Sequence, residues 1–262
     1  MREGVSQVGQ DHLLALGLAI VAAGLAGFSR GFAAFGAAMI YIPLVTLAYD
    51  AKTAVVTIFL VDIVPSLPLI WKAAPRCDKG TISWMAVGAV ALSPVGVALL
   101  LVADPMQTQL IMGFILMAAA SYMLLKRSFR IGAAPIMSIA AGAMSGLAGG
   151  LCGIFGPPAM IYLLGRSADA RSSRADTIVY LTGQSIILGI TYLFYGMYTR
   201  WYLELSLLLM PVYGLCLWYG ANRFSRTSEA AYRRAILALL WAVSALLVVR
   251  SLLALSPLRP RG

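Results

Sequence analysis

The sequence predicts an all-α polytopic membrane protein built from two inverted repeats. Three observations carry this prediction. Hydrophobic residues make up 61% of the 262 residues and charged residues only 11%, whereas soluble domains carry roughly a quarter charged residues. Long apolar runs recur along the chain without the alternation that a membrane β-barrel needs. A glycine-rich sequence also occurs twice, in the first and in the second half of the chain.

Turn and breaker residues divide the chain into ten apolar segments, several of them close to the roughly 20 residues that cross a bilayer as helix. No gap between them is long enough for an extramembrane domain. We therefore predict a single transmembrane domain over residues 1–262, with repeat one at about 12–125 and repeat two at about 133–254. The predicted segments are 12–28, 31–49, 53–71, 81–103, 107–125, 133–149, 151–165, 175–197, 201–220 and 232–254.

The net charge is +10, and most of the basic residues lie in every second loop between the apolar segments. Lys and Arg accumulate in cytoplasmic loops of membrane proteins, so this distribution indicates a bilayer partner and no nucleic acid. It places both termini outside a plasma membrane, such as a bacterial inner membrane, although Arg259 and Arg261 count against the C-terminal assignment. The basic loops contain Lys72, Arg76 and Lys79; Lys126, Arg127 and Arg130; Arg166, Arg171 and Arg174; and Arg223, Arg226, Arg233 and Arg234.

The two halves match in order as well as in composition. Residues 39–41 recur at 160–162, and residues 50–52 correspond to 169–171. These offsets (160 − 39 = 121; 169 − 50 = 119) are nearly constant, which favours duplication. Five segments per half is an odd number, so the second half must be inverted in the membrane. Inverted repeats with interrupted segments are typical of secondary transporters, whose substrate sites lie near the bilayer midplane.

Each glycine-rich sequence, at 24–43 and at 145–162, joins two apolar segments through a break. We expect broken or re-entrant helices whose tips approach the membrane centre from opposite sides, because irregular backbone is tolerated there only when it is buried or lines a cavity. Segments two and seven would begin at these tips. The Gly-x-x-x-Gly spacing, at Gly27/Gly31 and Gly146/Gly150, also suits close helix packing, either alone or together with a substrate role, and we favour the combination.

A helix start presents unpaired N–H groups and the positive end of its dipole, which suits an anion. The planar donor fork of Arg30 suits oxyanions such as sulfonate, sulfate or carboxylate. Gln184 is a second candidate ligand, with a bond to a neighbouring helix as its alternative. The predicted substrate-binding residues are Ser29, Arg30, Gly31, Gly150, Cys152, Gly153, Gly156 and Gln184.

Asp62 lies at the centre of segment three, where a charge is costly and marks a functional hypothesis. It could take up a coupling proton, or it could pair with Arg30. We favour the pair, because a bare carboxylate beside an anion site would repel the substrate. A coupling ion, either a proton or sodium, stays open.

The sequence predicts no enzyme, no cofactor and no metal. Cys77, Cys152 and Cys216 are too scattered for a metal cluster and are expected as free thiols. A membrane-embedded active site would need several titratable residues in the spans, yet only Asp62 and Cys152 lie clearly deep. No nucleotide-binding P-loop occurs, so an ion gradient, facilitation or a partner ATPase must supply any driving force.

The second glycine-rich sequence, Gly149–Pro158 followed by Met160, Ile161 and Tyr162, resembles that of the sulfite exporter TauE/SafE family of membrane transporters. The resemblance extends to length, segment number and repeat. The first copy departs from the family pattern, since residues 33–38 stand where the family has a denser glycine cluster. The resemblance implies a sulfur-containing oxyanion or organosulfonate as substrate, whereas the residues alone support only a small anion.

We therefore predict a secondary transporter of an organosulfonate or sulfite that works by alternating access between the two halves. The alternatives are an anion channel, or a transporter of another small anion such as a carboxylate or sulfate. The direction of transport and a homo-oligomeric state stay open.

Overall fold

The computed structural model describes residues 2–124, 132, 134–166 and 170–223, together with 241, 244, 245, 248 and 249. These residues contain α-helices and one short 3-10 turn at Ala74–Arg76, without a strand. The tenth predicted segment, at 232–254, lies largely outside the described residues. The helices are α1 (Arg2–Ala33), α2 (Ala37–Ala48), α3 (Ala51–Ala73), α4 (Lys79–Val102), α5 (Pro105–Leu124), α6 (Pro135–Cys152), α7 (Gly156–Arg166), α8 (Ala170–Phe194) and α9 (Arg200–Asn222).

Six stretches of the described chain are long and apolar enough to cross a membrane, which confirms the prediction of a multi-pass all-α membrane protein. The helix α2 is apolar but has only 12 residues, or about 18 Å at 1.5 Å per residue. It is therefore too short to span alone. The six stretches are Leu13–Ala33, Ala51–Arg76, Lys79–Val102, Pro135–Cys152, Ser172–Phe194 and Arg200–Asn222.

Polar residues between the apolar segments cap the long helices. The Asp50 carboxylate accepts a hydrogen bond from the Thr53 backbone at 2.6 Å and begins α3. Asp78 accepts from the backbone of Gly80 and Thr81 at the start of α4. Such caps satisfy N–H groups that a helix start leaves unpaired. The loops thus fix where α3 and α4 begin.

Glycines bring two pairs of helices into backbone contact. A Cβ on Gly31 in α1 would lie 2.0 Å from the carbonyl oxygen of Leu217 in α9. A Cβ on Gly146 in α6 would lie 2.6 Å from the carbonyl oxygen of Ala89 in α4. Only glycine permits such an approach, so the packing role of the Gly-x-x-x-Gly spacing is confirmed.

These pairings divide most of the helices into two units. In the first unit, α1 packs against α9 and α2, and α3 packs against α9 and α2. In the second unit, α6 packs against α4 and α7, and α8 packs against α4 and α7. The principal contact between the units joins α3 to α8. Each unit thus contains three consecutive helices and one helix from the other half of the sequence.

Candidate functional site between the two helical units

The two breaks lie a few residues later than the sequence predicts. The helix α1 continues to Ala33 and α2 begins at Ala37, so the predicted boundary at 28–31 is wrong. Likewise, α6 continues to Cys152 and α7 begins at Gly156, rather than near 149–151. The physical reason is that the glycines at the predicted boundaries remain helical in order to pack against α9 and α4. Ser29 and Arg30 therefore belong to the last turns of α1.

Each break opens with a residue in the left-handed region and is held by a serine. Ala34 has φ 68° and Gly153 has φ 69°. The Ser29 hydroxyl donates to the carbonyl oxygen of Phe35 at 3.2 Å, and the Ser145 hydroxyl donates to that of Phe155 at 2.7 Å. These bonds give a partner to carbonyl oxygens in the breaks, outside the helices. A buried break requires this, because buried backbone polar groups need hydrogen-bond partners.

The starts of α2 and α7 differ in the hydrogen-bond donors that they offer. Gly36 precedes α2 with φ 92° and provides no side-chain cap for its first N–H groups. The first turn of α7 contains Pro157 and Pro158, which have no N–H group. The Gly-Pro-Pro sequence is thus a helix start rather than an open turn. Of the two, α2 presents the better surface for an anion.

Both helix starts border a narrow cavity between the two units. Its polar side chains are Arg30, Asp62 and Ser185, and the rest of its wall is apolar side chain and helix-start backbone. The space a water molecule can enter has room for roughly one or two waters. The lining residues are Arg30, Gly36, Ala37, Ala38, Met39, Ile58, Phe59 and Asp62 from the first unit, and Phe155, Gly156, Leu181 and Ser185 from the second.

Arg30 and Asp62 form a buried ion pair at this cavity. Each residue is only 4% exposed, and Arg30 Nε lies 3.5 Å from Asp62 Oδ1. Arg30 also donates from Nη1 to the Ala34 carbonyl oxygen at 3.3 Å and from Nη2 to Thr182 Oγ1 at 3.0 Å. The predicted pairing of Asp62 with Arg30 is therefore present in the structure.

Three hydroxyl groups complete the surroundings of Asp62. Ser66 Oγ donates to Oδ1 at 2.7 Å. Ser185 Oγ lies 3.4 Å from Oδ2, and the Leu181 carbonyl oxygen, at 3.1 Å, is a second acceptor for the same hydroxyl. The Tyr213 hydroxyl also donates to Oδ1. Burying a charge is costly unless it is paired and hydrogen-bonded. This network meets that requirement with side chains from four helices.

Of the predicted site residues, Arg30, Gly156 and Asp62 line the cavity. The other predicted residues lie around the breaks or at helix crossings. A Cβ on Gly150 would lie 2.5 Å from the Ser93 carbonyl oxygen, and a Cβ on Gly153 would lie 2.5 Å from Ile42 Cδ1. Cys152 is fully buried at the end of α6.

Gln184 lies beside the second break rather than on the cavity wall. Its Nε2 donates to Ser93 Oγ of α4 at 3.1 Å, so the alternative of a bond to a neighbouring helix is realised. Its buried Oε1 has no hydrogen-bond partner within the described part of the chain. The side chain therefore keeps an unused acceptor.

Sequence reasoning missed Tyr213, Ser66 and Ser185 as members of the network. Ser66 follows Asp62 by four residues, and Ser185 follows Thr182 by three. Residues at these spacings share a helix face, so both could have been found from helical spacing. Tyr213 is 151 residues from Asp62, and no local pattern connects them.

Two apolar groups join the two units, one at the cavity wall and one outside its lining. Phe59 stacks on Phe155 at 5.9 Å and meets Tyr192 at 5.2 Å between ring centroids; we call these three residues the aromatic cluster. Towards the end of α3, a small apolar group links the two units. This group, the alanine cluster, consists of Ala34, Ala73, Ala175 and Ile178.

The helices α2 and α7 run away from the cavity towards opposite ends of α3. Beyond the C-terminal end of α2, Tyr49 packs against Trp201 at 6.2 Å, next to Asp50 at the start of α3. At the end of α7, Arg166 Nη1 lies 2.6 Å from Oδ2 of Asp78, which follows the end of α3. Two short helices thus begin at one cavity and end at opposite ends of α3.

A comparison with protein-family models decides the class of this protein. The model described as "Sulfite exporter TauE/SafE" matches residues 19–247, most of the chain. The chain belongs to the sulfite exporter TauE/SafE family. No curated protein and no solved structure matched. Membership of TauE/SafE makes the chain a multi-pass membrane transporter rather than an enzyme, with a small anion as substrate and a lipid bilayer around it.

Proposed function

We propose that this protein is a secondary transporter of a small sulfur-containing anion, sulfite or an organosulfonate. The observation that carries the proposal is the position of Arg30: a buried cation on the wall of the cavity at which α2 and α7 begin. An ionisable residue inside a membrane, facing a cavity, is a hypothesis for a substrate pathway.

The chemistry of the cavity suits an oxyanion. A guanidinium has five N–H donors, and Arg30 makes three contacts with Asp62, Ala34 and Thr182. It therefore keeps donors for a ligand. The uncapped start of α2 adds backbone N–H groups and the positive end of a helix dipole. Sulfite and sulfonates present three oxygens that such donors can bind.

We propose an inverted repeat, and the helix pairing supports it. The start of α2 and that of α7 differ by 119 residues (156 − 37), and those of α4 and α9 by 121 (200 − 79). If α1, α2, α3 and α4 correspond to α6, α7, α8 and α9, then the α1–α9 pair corresponds to the α6–α4 pair. The opposite directions of α2 and α7 along α3 are what inversion would produce.

We infer that alternating access moves the two units rather than the two sequence halves. The halves are interlocked, because α4 and α9 each pack in the unit of the other half. The cavity lies between the units and is too narrow for a sulfonate, so binding requires an opening. Separation of the aromatic cluster would open one end, and separation of the alanine cluster would open the other.

The remaining predicted residues would act on the shape of the site. We propose that Ser29 and Gly153 hold the breaks, and that Gly31 and Gly150 allow the helix crossings behind them. Cys152 and Gln184 would form the wall of the second break, where the buried Oε1 of Gln184 has no hydrogen-bond partner among the described residues. Contact of any of these residues with the anion stays a prediction.

Uptake by proteoliposomes tests the function. The panel consists of sulfite, sulfoacetate, an aromatic sulfonate, sulfate and a carboxylate. We expect saturable uptake of sulfite or a sulfonate and counterflow from preloaded vesicles. Uptake of the carboxylate alone would overturn the sulfonate assignment, and non-saturable flux without counterflow would indicate a channel.

Variants of Arg30 test the site. Arg30→Lys keeps the charge but loses the planar fork, and Arg30→Gln removes the charge. We expect anion affinity to fall in both, more strongly in Arg30→Gln. Arg200→Gln is the matched control, because Arg200 is exposed and contacts only Glu204 among the described residues. Unchanged affinity in folded Arg30→Gln would remove Arg30 from the site.

A further inference from the structure

The carboxylate of Asp62 is placed where an arriving anion must compete with it. Arg30 Nε, at 3.5 Å from Asp62 Oδ1, is the only cationic group that the described structure places at the cavity. One guanidinium neutralises one negative charge. A sulfonate bound to Arg30 would therefore leave Asp62 as a second, uncompensated negative charge in a buried site, which is unfavourable.

The groups around Asp62 can accommodate a protonated carboxyl. Arg30 from α1 and Tyr213 from α9 are the charged and titratable groups that face it. The helix α8 contributes the Ser185 hydroxyl, α3 itself contributes Ser66, and α2 contributes the uncharged residues of its first turn. Hydroxyl groups can accept as well as donate hydrogen bonds. A carboxyl that gains a proton can thus donate to a hydroxyl that previously donated to it.

The contact between Arg30 and Asp62 is also the longest of the contacts that Arg30 makes. At 3.5 Å it is longer than the contacts of Arg30 with Ala34 and Thr182, which hold the guanidinium at the cavity from the first and second units. An anion can therefore replace Asp62 at Nε while the side chain stays anchored.

We propose that Asp62 is the proton-coupling residue and that the protein carries one proton with each anion. The proposal rests on the proposed function. The anion takes the place of the Asp62 carboxylate at Arg30, and the carboxylate accepts a proton from water on the side from which the anion enters. On the other side the anion leaves, the carboxyl returns its proton to water, and the Arg30–Asp62 pair re-forms.

A fully ionised monovalent sulfonate, methanesulfonate, is the appropriate probe, because it carries no titratable proton of its own. Symport of this anion with a proton moves no net charge. In wild-type proteoliposomes we expect an inward methanesulfonate gradient to acidify the lumen, as read by a trapped pH dye. We also expect a potassium diffusion potential imposed with valinomycin to leave the uptake rate unchanged.

The variant Asp62→Asn mimics the protonated carboxyl. It should lose the acidification, and the methanesulfonate uptake that it supports should depend on the membrane potential. Asp104→Asn, at the exposed cap of α5, is the control that should behave as wild type. Wild-type uptake without acidification would overturn the coupling while leaving the transport function intact. Absence of any anion uptake would overturn both.

A second measurement needs no variant. If anion and proton bind together, linkage requires that the affinity of the detergent-solubilised wild type for methanesulfonate increase as the pH falls. The limiting slope is about tenfold per pH unit for one proton. A pH-independent affinity would overturn the proposal even if Asp62→Asn failed to fold.

Discussion

Ala34 directly follows α1 and Gly153 directly follows α6, 119 residues apart (153 − 34), and both adopt the left-handed conformation, with φ values of 68° and 69°. The second is the glycine that this conformation favours, and the first is not. A left-handed conformation costs a residue with a Cβ roughly 1–2 kcal/mol. The Ala34 methyl group is buried in the alanine cluster, which offsets part of this cost.

We expect substitutions at these two residues to have unequal effects on stability. Ala34→Gly relieves the strain but loses a buried methyl group, worth about 0.8 kcal/mol, and gains chain entropy in the unfolded state. The net change should be close to zero. Gly153→Ala adds strain and a clash with Ile42, so its apparent melting temperature in detergent should be clearly lower. Equal melting temperatures for the two variants would contradict this account.

Gly31 and Gly17 lie in the same helix but should respond in opposite ways to alanine. A Cβ on Gly31 meets the backbone of α9 at 2.0 Å, whereas nothing lies within 4 Å of a Cβ on Gly17. Gly31→Ala should destabilise the protein by about 1–3 kcal/mol through overpacking. Gly17→Ala should be neutral or stabilising by up to about 1 kcal/mol through helix propensity. Thermal unfolding in detergent measures both, and a loss of transport in Gly31→Ala without a loss of stability would favour substrate contact instead.

The Asp78 carboxylate should stabilise the protein only above acidic pH. Hydrogen bonds from Arg166 and Thr81 lower the pKa of Asp78 from 3.8 to about 2. Because the folded-state pKa is below the unfolded value, this stabilisation is present above about pH 4 and is lost as the pH falls towards 2. The pair is partly exposed, with 24% and 43% side-chain exposure, so the effect should be below about 1 kcal/mol.

Asp78→Asn keeps an oxygen for the helix cap but cannot form the ion pair. We expect wild type to melt above this variant at neutral pH, and the difference to vanish between pH 4 and pH 2. Asp104→Asn is the matched control, because Asp104 caps α5 without an ion pair among the described residues. A difference between wild type and Asp78→Asn that persisted at pH 2 would indicate that capping, rather than charge, explains the effect.

The class of fold was predictable from the sequence because lipid imposes long apolar helices on any chain that spans it. The location of the breaks was less predictable. Glycine both weakens a helix and permits close helix contact, and the sequence does not distinguish these effects. Gly27 and Gly31 are helical because α9 packs on them, and the chain leaves the helix only at Ala34, where the residue type gives no signal.

The charged centre of the site was predictable and its surroundings were not. Arg30 and Asp62 stand out because charged residues are rare in membrane-spanning segments and usually pair with an opposite charge. Their neutral partners depend on which helices pack together. Tyr213 contacts Asp62 because α9, from the second half of the sequence, packs in the first unit. No spacing in the sequence indicates this packing.

Arg174 joins the two units beside the alanine cluster. It donates from Nη1 to the carbonyl oxygen of Phe32 at 2.9 Å and from Nη2 to that of Gly31 at 3.1 Å. Its charge lies at the C-terminal end of α1, where the helix dipole favours a cation. Arg174→Gln removes this charge and the guanidinium contacts with Phe32 and Gly31, so it should favour opening of the units at the alanine cluster.

The native Cys77 can report that opening, because it packs partly buried against the alanine cluster. In a background with Cys152→Ala and Cys216→Ala, we expect a maleimide to label Cys77 several-fold faster in Arg174→Gln than in the parent. Burial raises the pKa of the Cys77 thiol, so opening increases both its access and its thiolate fraction. Arg200→Gln, which removes an exposed cation at the start of α9, should label at the parent rate. Equal rates in Arg174→Gln and the parent would mean that Arg174 stabilises the end of α1 without holding the two units together.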